Sequence, residues 1–217
     1  MPKIFLSPSD QIENVYTGVD TNEGTQCGKI ATACKDALIR CGFDVMLMHR
    51  FSMQEKVATA DAFGADAYVC IHTNASPKHN ATGTRMFCYS WNGTGHKICM
   101  KVFNKLAAFA PGTSDSISVR DDLYEIRMPV APTVYIEVDF HDVADIAKWI
   151  VSHTTEIGEK IAEGLCEFFG VPYKKAEDDK DVLYRIQVGA FRTREYAQRY
   201  LDSVKKHYPE AFIVEVK

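Results

Sequence analysis

Apolar and polar positions follow two different periods along most of the chain. Short apolar runs, typical of buried strands, alternate with longer stretches in which apolar residues recur every three or four positions, as they do in helices. The clearest helical stretch is 25–41, which Gly42 ends. Its apolar face is formed by Ile30, Cys34, Ala37, Leu38 and Cys41. The pattern predicts strands at 3–7, 43–50, 67–73, 83–90 and 132–140, and helices at 25–41, 53–63, 95–109, 143–151 and 155–169.

This alternation predicts the fold class. Strands separated by helices are typical of an α/β domain with a mainly parallel sheet and helices on both of its faces. Residues 111–130 show no clear period and are expected to form an irregular excursion from this architecture.

The composition changes at Pro172. Residues 172–181 are charged and nearly free of apolar side chains, which predicts a linker. Residues 182–217 then show a strand, helix and strand pattern, a small β-α-β segment too short to bury a core alone. We therefore expect a main domain at 1–171 and a C-terminal segment that packs either on this domain or on a copy of itself.

Bulk composition excludes several classes of protein. The chain has 217 residues, of which 46% are hydrophobic, enough for one medium domain and an appendage. A net charge of -4 gives no basic field for nucleic acid, and no apolar run is long enough to predict a membrane span. The seven cysteines include no CxxC motif, so we expect buried thiols in a reducing compartment rather than disulfides.

Polar residues follow several predicted strands. In a parallel sheet, ligands collect outside the carboxyl ends of the strands, so these residues are expected to converge at one rim. They are Asp10 and Gln11 after the first strand, Glu23 at the first helix, His72 and Asn74 after the third strand, and Glu137, Asp139 and His141 near the end of the last.

Glu137 is the most informative of these residues. It lies inside the apolar run TVYIEVDF, where a carboxylate is costly to bury without a partner. The alternative is an outward-facing position on an alternating strand. His72 together with two carboxylates suits a zinc site, and a carboxylate that is not a ligand could take a proton from water there.

The order of SPSDQ, TNEGTQCGKIA, CGFDV, GADAYVCIHTNAS, GTRMF and PTVYIEVDFHD resembles the zinc-dependent N-acetylmuramoyl-L-alanine amidases of the amidase-3 group. These enzymes occur in bacterial autolysins and phage endolysins. The resemblance covers residues 3–170. The IHTNA and IEVDFHD elements carry most of it.

The resemblance implies a zinc ion held by Glu23, by His72 and by a residue after the first strand. The family usually has His at that third position, whereas this chain has none there. The resemblance makes Gln11 the first choice, because related variants carry their His at the fifth place of the SPSDQ element. Asp10 is the alternative, because zinc prefers a carboxylate to a neutral amide oxygen. Glu137 would be the catalytic carboxylate that activates water for attack on the amide between the muramic lactyl group and L-Ala.

Further residues have weaker signals. Asn74 could bind the stem peptide or cap a turn. His141 could bind substrate, orient a ligand or start a helix. Glu125 is expected to be a solvated loop carboxylate. Arg120 and Arg127 could meet carboxylates of the stem peptide, although the sequence does not distinguish them from other cations.

The C-terminal segment, with YRIQVGAF followed by EYAQ, resembles the SPOR domain, a peptidoglycan-binding module. A full module is a β-α-β-β-α-β unit, and this segment matches half of it. We therefore expect two segments to pair in a homodimer, unless the segment packs on its own main domain.

Together these features predict a zinc-dependent peptidoglycan amidase that acts as an endolysin or autolysin. The alternatives are a catalytically impaired peptidoglycan-binding protein and a different zinc hydrolase, such as a carboxypeptidase. The start of the sequence lacks signal-peptide features. We therefore expect synthesis in the cytoplasm and release to the cell wall, with neither nucleic acid nor membrane as a partner.

Overall fold

The computed structural model of the chain describes residues 1–176, 189–209 and 211–215. Contacts divide the chain into two compact units, Met1–Ala176 and Glu177–Lys217, which are described separately below. None of the helices in the described residues is both long and apolar enough to cross a membrane.

Unit 1 is an α/β domain built on one six-stranded sheet, as predicted. The strands are β1 (Lys3–Pro8), β2 (Asp44–Leu47), β3 (Ala67–Asn74), β4 (Arg85–Cys88), β5 (Ser116–Val119) and β6 (Thr133–Phe140). The helices are α1 (Glu23–Arg40), α2 (Met53–Phe63), α3 (Thr94–Leu106), α4 (Tyr124–Arg127), α5 (Ala144–Ser152) and α6 (Thr154–Phe169).

The sheet has the order β2-β1-β3-β6-β4-β5. The strands β1, β2, β3 and β6 are parallel, whereas β4 runs antiparallel to β6 and parallel to β5. The carboxyl ends of β1, β3 and β6 therefore meet at one edge of the sheet. This edge carries the candidate site.

Helices cover both faces of the sheet. On one face, residues of α1, α3, α5 and α6 pack against inward side chains such as Leu6, Val69 and Ile136 in the larger core. On the other face, α2 packs over β1 and β3 in a smaller core around Phe5 and Tyr68. This arrangement explains why the strands are apolar at nearly every position.

Capping residues set the helix starts that matter for the site. The Asn22 side chain accepts a hydrogen bond from the Thr25 backbone N–H, so α1 begins at Glu23 rather than at the predicted residue 25. The helix α2 matches its predicted bounds because Ser52 and Glu55 form a capping box and Gly64 ends the helix in the left-handed region.

Residues 111–130 are more ordered than expected. They contain β5 and the single turn of α4. Both are four residues long, which is too short for either period to show in the sequence.

Unit 2 contains the predicted helix, as α7 (Arg194–Val204). The first predicted strand of the β-α-β segment lies mostly outside the described residues. The second was expected within 211–217, but the described residues 211–215 form no strand. None of the residues of α7 is buried.

Candidate active site

Glu23 and His72 form the centre of the site. Glu23 is placed by the start of α1 and His72 by the end of β3, and both residues are buried. The Glu23 Oε1 atom lies 2.9 Å from His72 Nδ1. The Thr73 backbone N–H also donates to Glu23 Oε1, at 3.4 Å. A carboxylate and an imidazole nitrogen, both typical zinc ligands, therefore point at each other in a buried position.

Gln11 reaches this pair through Asn14, which was not identified from the sequence. The Asn14 side-chain amide donates to Gln11 Oε1 at 2.5 Å and to Glu23 Oε2 at 2.6 Å. Gln11 is exposed and lies in the loop after β1. The Asn14 amide therefore bridges the side-chain oxygen of Gln11 and the Glu23 carboxylate.

Asp10 has different partners. Its Oδ2 atom lies 2.5 Å from the Nζ atom of Lys56, and its Oδ1 atom accepts a hydrogen bond from the Arg50 backbone N–H. Lys56 is buried and also donates to the Pro8 carbonyl at 2.9 Å. Asp10 thus ties the loop after β1 to α2 and to the loop before it, which favours Gln11 over Asp10 as the third donor.

Glu137 lies beside His72 in the sheet. The two residues are direct partners in the parallel pairing of β3 with β6. The Tyr135 ring, two positions before Glu137, stacks on the His72 ring with centroids 4.5 Å apart. The Glu137 Oε2 atom is buried and has no hydrogen-bond partner among the described residues. Glu137 as a residue is half-buried and lies on the same face of β6 as Tyr135, so the strand alternates at this point, but its Oε2 atom is shielded from solvent.

The environment changes the proton affinity of all three groups. Burial, assisted by the charge of Glu23, raises the pKa of Glu137 to about 7, although His72 and Arg120 oppose this shift. Burial disfavours the Glu23 carboxylate, but the hydrogen bonds from His72 and Asn14 outweigh it and hold the pKa of Glu23 below its usual value. Burial likewise opposes the charged form of His72, yet its bond to Glu23 keeps the His72 pKa above the usual value.

His141 contacts Thr73, the residue that follows His72 on β3. It is buried, and its ring stacks on Tyr16 at a centroid distance of 5.0 Å. The Thr73 hydroxyl lies 2.9 Å from His141 Nδ1 and 3.0 Å from the Tyr16 hydroxyl. Burial lowers the pKa of His141, so its ring is neutral at pH 7. These contacts favour a role in positioning β3 over direct contact with substrate.

Asn74 and Asp139 occupy the same rim in different ways. Asn74 is half-buried, and its side-chain oxygen accepts from the Ala75 backbone N–H at 2.8 Å. Asp139 is fully buried and accepts from the backbone N–H groups of Gly83 at 2.8 Å and Gly112 at 3.1 Å. Asp139 therefore holds two loops together beside the site.

Glu125 is not the solvated loop carboxylate that we expected. It is buried on α4, where its Oε1 atom accepts hydrogen bonds from the Ser7 hydroxyl at 2.5 Å and the Tyr68 hydroxyl at 2.6 Å. Residues 111–130 fold onto the sheet at this point, so long-range packing rather than local sequence decides its burial.

The donor set fits a zinc ion, with one weak member. Glu23 and His72 supply a carboxylate oxygen and an imidazole nitrogen, and Gln11 supplies an amide oxygen. Among the described residues, no group of three or more His, Cys, Asp or Glu side chains could hold a metal. A donor set completed by the neutral Gln11 would bind zinc less tightly than a site with three strong donors.

Comparison with known proteins identifies the family. The profile of the N-acetylmuramoyl-L-alanine amidases matches residues 15–167. The chain belongs to this family. A second profile, that of the SPOR domain, matches residues 169–215. The amidase match confirms the enzyme class predicted from the sequence, an N-acetylmuramoyl-L-alanine amidase. Members of this family are generally zinc-dependent.

Solved amidase structures share the fold. The catalytic domain of CwlV from Bacillus (Paenibacillus) polymyxa var. colistinus has a TM-score of 0.72 at 17% identity, covering 79% of this chain and 100% of that domain. AmiC2 of Nostoc punctiforme has a TM-score of 0.70 at 16% identity, covering 78% of this chain and 97% of AmiC2. The catalytic domain of the CD27L endolysin, which targets Clostridia difficile, has a TM-score of 0.65 at 20% identity, covering 77% of this chain and 98% of that domain. No curated protein sequence matches the chain significantly.

Proposed function

We propose that this amidase cleaves the bond between N-acetylmuramic acid and L-Ala with a zinc ion held by Gln11, Glu23 and His72, and with Glu137 as its catalytic carboxylate. The observation that carries this assignment is the position of Glu137. A buried carboxylate oxygen without a partner lies one strand away from a paired Glu and His. Burying a carboxylate oxygen without a hydrogen-bond partner costs folding free energy, and groups of this kind are concentrated at catalytic sites.

The chain's own groups can perform the proton transfers. Zinc, when bound, would supply a Lewis acid for the scissile carbonyl. Glu137 would take a proton from the attacking water and deliver it to the L-Ala nitrogen as the amide bond breaks. In the metal-free protein burial raises the pKa of Glu137 to about 7, so this carboxyl can hold or release a proton near neutral pH. Asn74, at the rim, is proposed to donate its amide to the stem peptide.

The decisive experiment compares wall hydrolysis with metal content. Glu137→Gln should lower the rate of clearing of purified cell walls by about 10²–10⁴-fold, the usual contribution of a general acid–base group. Its zinc content should remain that of the wild type, because Glu137 is not a ligand. A control is Glu156→Gln, which changes an exposed residue of α6. Full clearing by the Glu137 variant would exclude this catalytic assignment.

The alternative is a catalytically impaired protein that binds peptidoglycan without cleaving it. The neutral donor Gln11 favours this alternative, since weak zinc binding would leave the site without its Lewis acid. The two functions differ in a simple assay. A binding protein would sediment with purified walls but would release no stem peptides, even with zinc added in excess.

The SPOR domain indicates peptidoglycan binding and association with the cell wall.

We further propose that two C-terminal segments pair in a homodimer. The helix α7 supports this, because it buries none of its residues and leaves Tyr196 and Tyr200 exposed. Light scattering should give twice the monomer mass for the full chain, and Tyr200→Glu should halve it. A monomeric mass for both proteins would exclude the dimer.

We also propose that the protein is made in a reducing compartment and reaches the wall on lysis, as endolysins do. All seven cysteines lie within residues 1–176 and are buried free thiols, as predicted. Such a protein should fold without oxidants. Full activity of protein refolded in excess reductant is the expected result, and a requirement for disulfide formation would contradict it.

A further inference from the structure

The sheet face that carries Glu137 continues past β6 onto two more strands. Arg85 on β4 lies directly opposite Glu137, and Phe87 lies opposite Tyr135. Directly opposite residues of neighbouring strands project from the same face. We call this surface the open face. It is formed by Tyr135, Glu137, Arg85, Phe87, Ser116 and Ser118.

The open face differs from the rest of the same sheet face. Near β1 and β3, side chains such as Phe5 and Tyr68 are fully buried under α2. All six residues of the open face are only half-buried. A partly accessible floor therefore begins at Glu137 and extends across β4 and β5.

Arg120 lies over this floor. Its backbone N–H donates to the Cys88 carbonyl at 3.0 Å, just past the end of β5. Its guanidinium lies 5.5 Å from the centroid of the Phe87 ring. The positive charge acts on Glu137, whose pKa it lowers against the larger effect of burial. Arg120 therefore lies over the same sheet face as Glu137, while its side-chain hydrogen bonds go to a different residue.

That residue is Asp122, which holds one edge of the guanidinium. The Nε and Nη2 atoms of Arg120 donate to the two Asp122 oxygens at 2.7 and 2.8 Å. This fork fixes the plane of the guanidinium and leaves the Nη1 edge to donate elsewhere. The Arg120 side chain is 43% exposed, so that edge can be reached by a ligand.

Arg85 adds a second cation on the same face. Its Nη1 atom donates to the Ser116 hydroxyl at 2.8 Å, and its guanidinium lies 6.0 Å from the Phe140 ring centroid. A bulge in β6 explains this contact. His72 pairs with Glu137 but Asn74 pairs with Phe140, which brings Phe140 to the Glu137 side of the sheet.

We propose that the open face binds the peptide stem of the substrate and that Arg120 binds a free carboxylate on the residue after L-Ala. This inference rests on the proposed function. The carboxyl group of L-Ala is used in the peptide bond, so the following residue is the first that can offer a carboxylate. A planar guanidinium with one free edge suits such a group.

The chemistry of the floor favours peptide over glycan. Sugars bind to aromatic rings whose faces are free, but Arg120 already covers the Phe87 ring. Arg85 and Arg120 lie with the carboxylates of Glu137 and Asp122, so the open face offers charged groups of both signs, which suit the carboxylate and amide groups of a peptide better than a neutral sugar.

The test uses two soluble probes that differ in one group. Both are N-acetylmuramoyl-L-alanyl-D-glutamate with the γ-carboxyl blocked as its methylamide, and the α-carboxyl is either free or amidated. Binding is measured by calorimetry on the Glu137→Gln protein, so that hydrolysis cannot consume the probes. The free acid should bind about tenfold more tightly than the amide, the effect of one partly exposed charge-assisted hydrogen bond.

Variants of Arg120 in the same background identify the group responsible. Arg120→Gln should abolish the preference by weakening only the free acid, and Arg120→Lys should keep part of it because the charge remains. Arg127→Gln is the matched control, since Arg127 is exposed on α4 and is not part of the open face. It should leave both affinities unchanged.

Equal binding of the two probes, no binding of either, or an equal loss for both in Arg120→Gln would overturn the inference. Hydrolysis of the probes by the unmodified chain is followed separately. If it cleaves neither probe but prefers to bind the acid, the proposed function fails and the carboxylate site stands. If it cleaves both probes equally well and Arg120→Gln changes nothing, the proposed function stands and the carboxylate site is excluded.

Discussion

The Lys56 ammonium and the Asp10 carboxylate lie 2.5 Å apart, although α2 and the loop after β1 are distant in sequence. Lys56 is buried, and its second partner is the Pro8 carbonyl just before the loop. This ion pair fixes the position of Asp10 and leaves its neighbour Gln11 to reach Glu23 through Asn14. This arrangement supports the proposal of Gln11, rather than Asp10, as the third metal ligand.

The first prediction concerns the energy of this pair. Lys56→Met should lower the free energy of unfolding by about 1–3 kcal/mol, because it leaves a partly buried carboxylate without its cation. Urea denaturation of Lys56→Met, Asp10→Asn and the double variant measures the coupling between them. Additive effects of the two substitutions would show that the contact contributes nothing.

The second prediction concerns the third ligand. Gln11→His should raise zinc affinity by about tenfold or more, because an imidazole nitrogen binds zinc better than a neutral amide oxygen. Competition with a chromophoric chelator measures this without reference to activity. Asp10→His is the control at the neighbouring position and should not raise the affinity, since residue 10 is directed toward α2 whereas Gln11 contacts Asn14, a partner of Glu23. Equal gains from both substitutions would contradict the assignment of Gln11.

Much of the fold could be predicted because its cause is local. Periodicity and helix stops located every long element, and α2 has its predicted bounds because the structure caps it with Ser52 and Glu55 and ends it at Gly64. The convergence of Glu23, His72 and Glu137 also followed from the prediction of a parallel sheet, since the carboxyl ends of parallel strands share an edge and the helix after the first strand begins at that edge.

The remaining features depend on contacts between distant segments. Lys56 looks like any helix surface lysine until the loop after β1 packs over it. Glu125 looks solvated until α4 folds onto β1 and β3, where Ser7 and Tyr68 become its donors. Arg120 and Arg127 are equivalent in sequence, and the pairing of β5 with β4 is what brings the first of them over Phe87, on the sheet face that carries Glu137.

The third prediction concerns Glu125. Glu125→Ala should lower the free energy of unfolding by about 2 kcal/mol, because it leaves the hydroxyls of Ser7 and Tyr68 in a buried position without an acceptor. Urea denaturation at pH 7 is the measurement, with the exposed Glu156→Ala as a control. Tyr68→Phe in the Glu125→Ala background should recover part of the loss by removing one of those hydroxyls. A stability equal to that of the unmodified chain would place Glu125 in solvent.

The last prediction uses the pKa of Glu137 in the metal-free protein. Folding raises the pKa of this carboxyl from 4.5 to about 7, so the folded state holds the proton more tightly than the unfolded state does. The ionised group therefore destabilises the fold, with no effect below pH 4.5 and an effect of at most about 3 kcal/mol once the pH has risen above 7. Glu137→Gln removes this titration, so the difference in unfolding free energy between the variant and the unmodified chain should shift in favour of the variant as the pH rises from 5 to 8. Urea denaturation in the presence of a chelator at both pH values measures the difference. A difference between the two proteins that is the same at pH 5 and pH 8 would mean that Glu137 keeps an ordinary pKa, and that the oxygen beside His72 is hydrated rather than held for proton transfer.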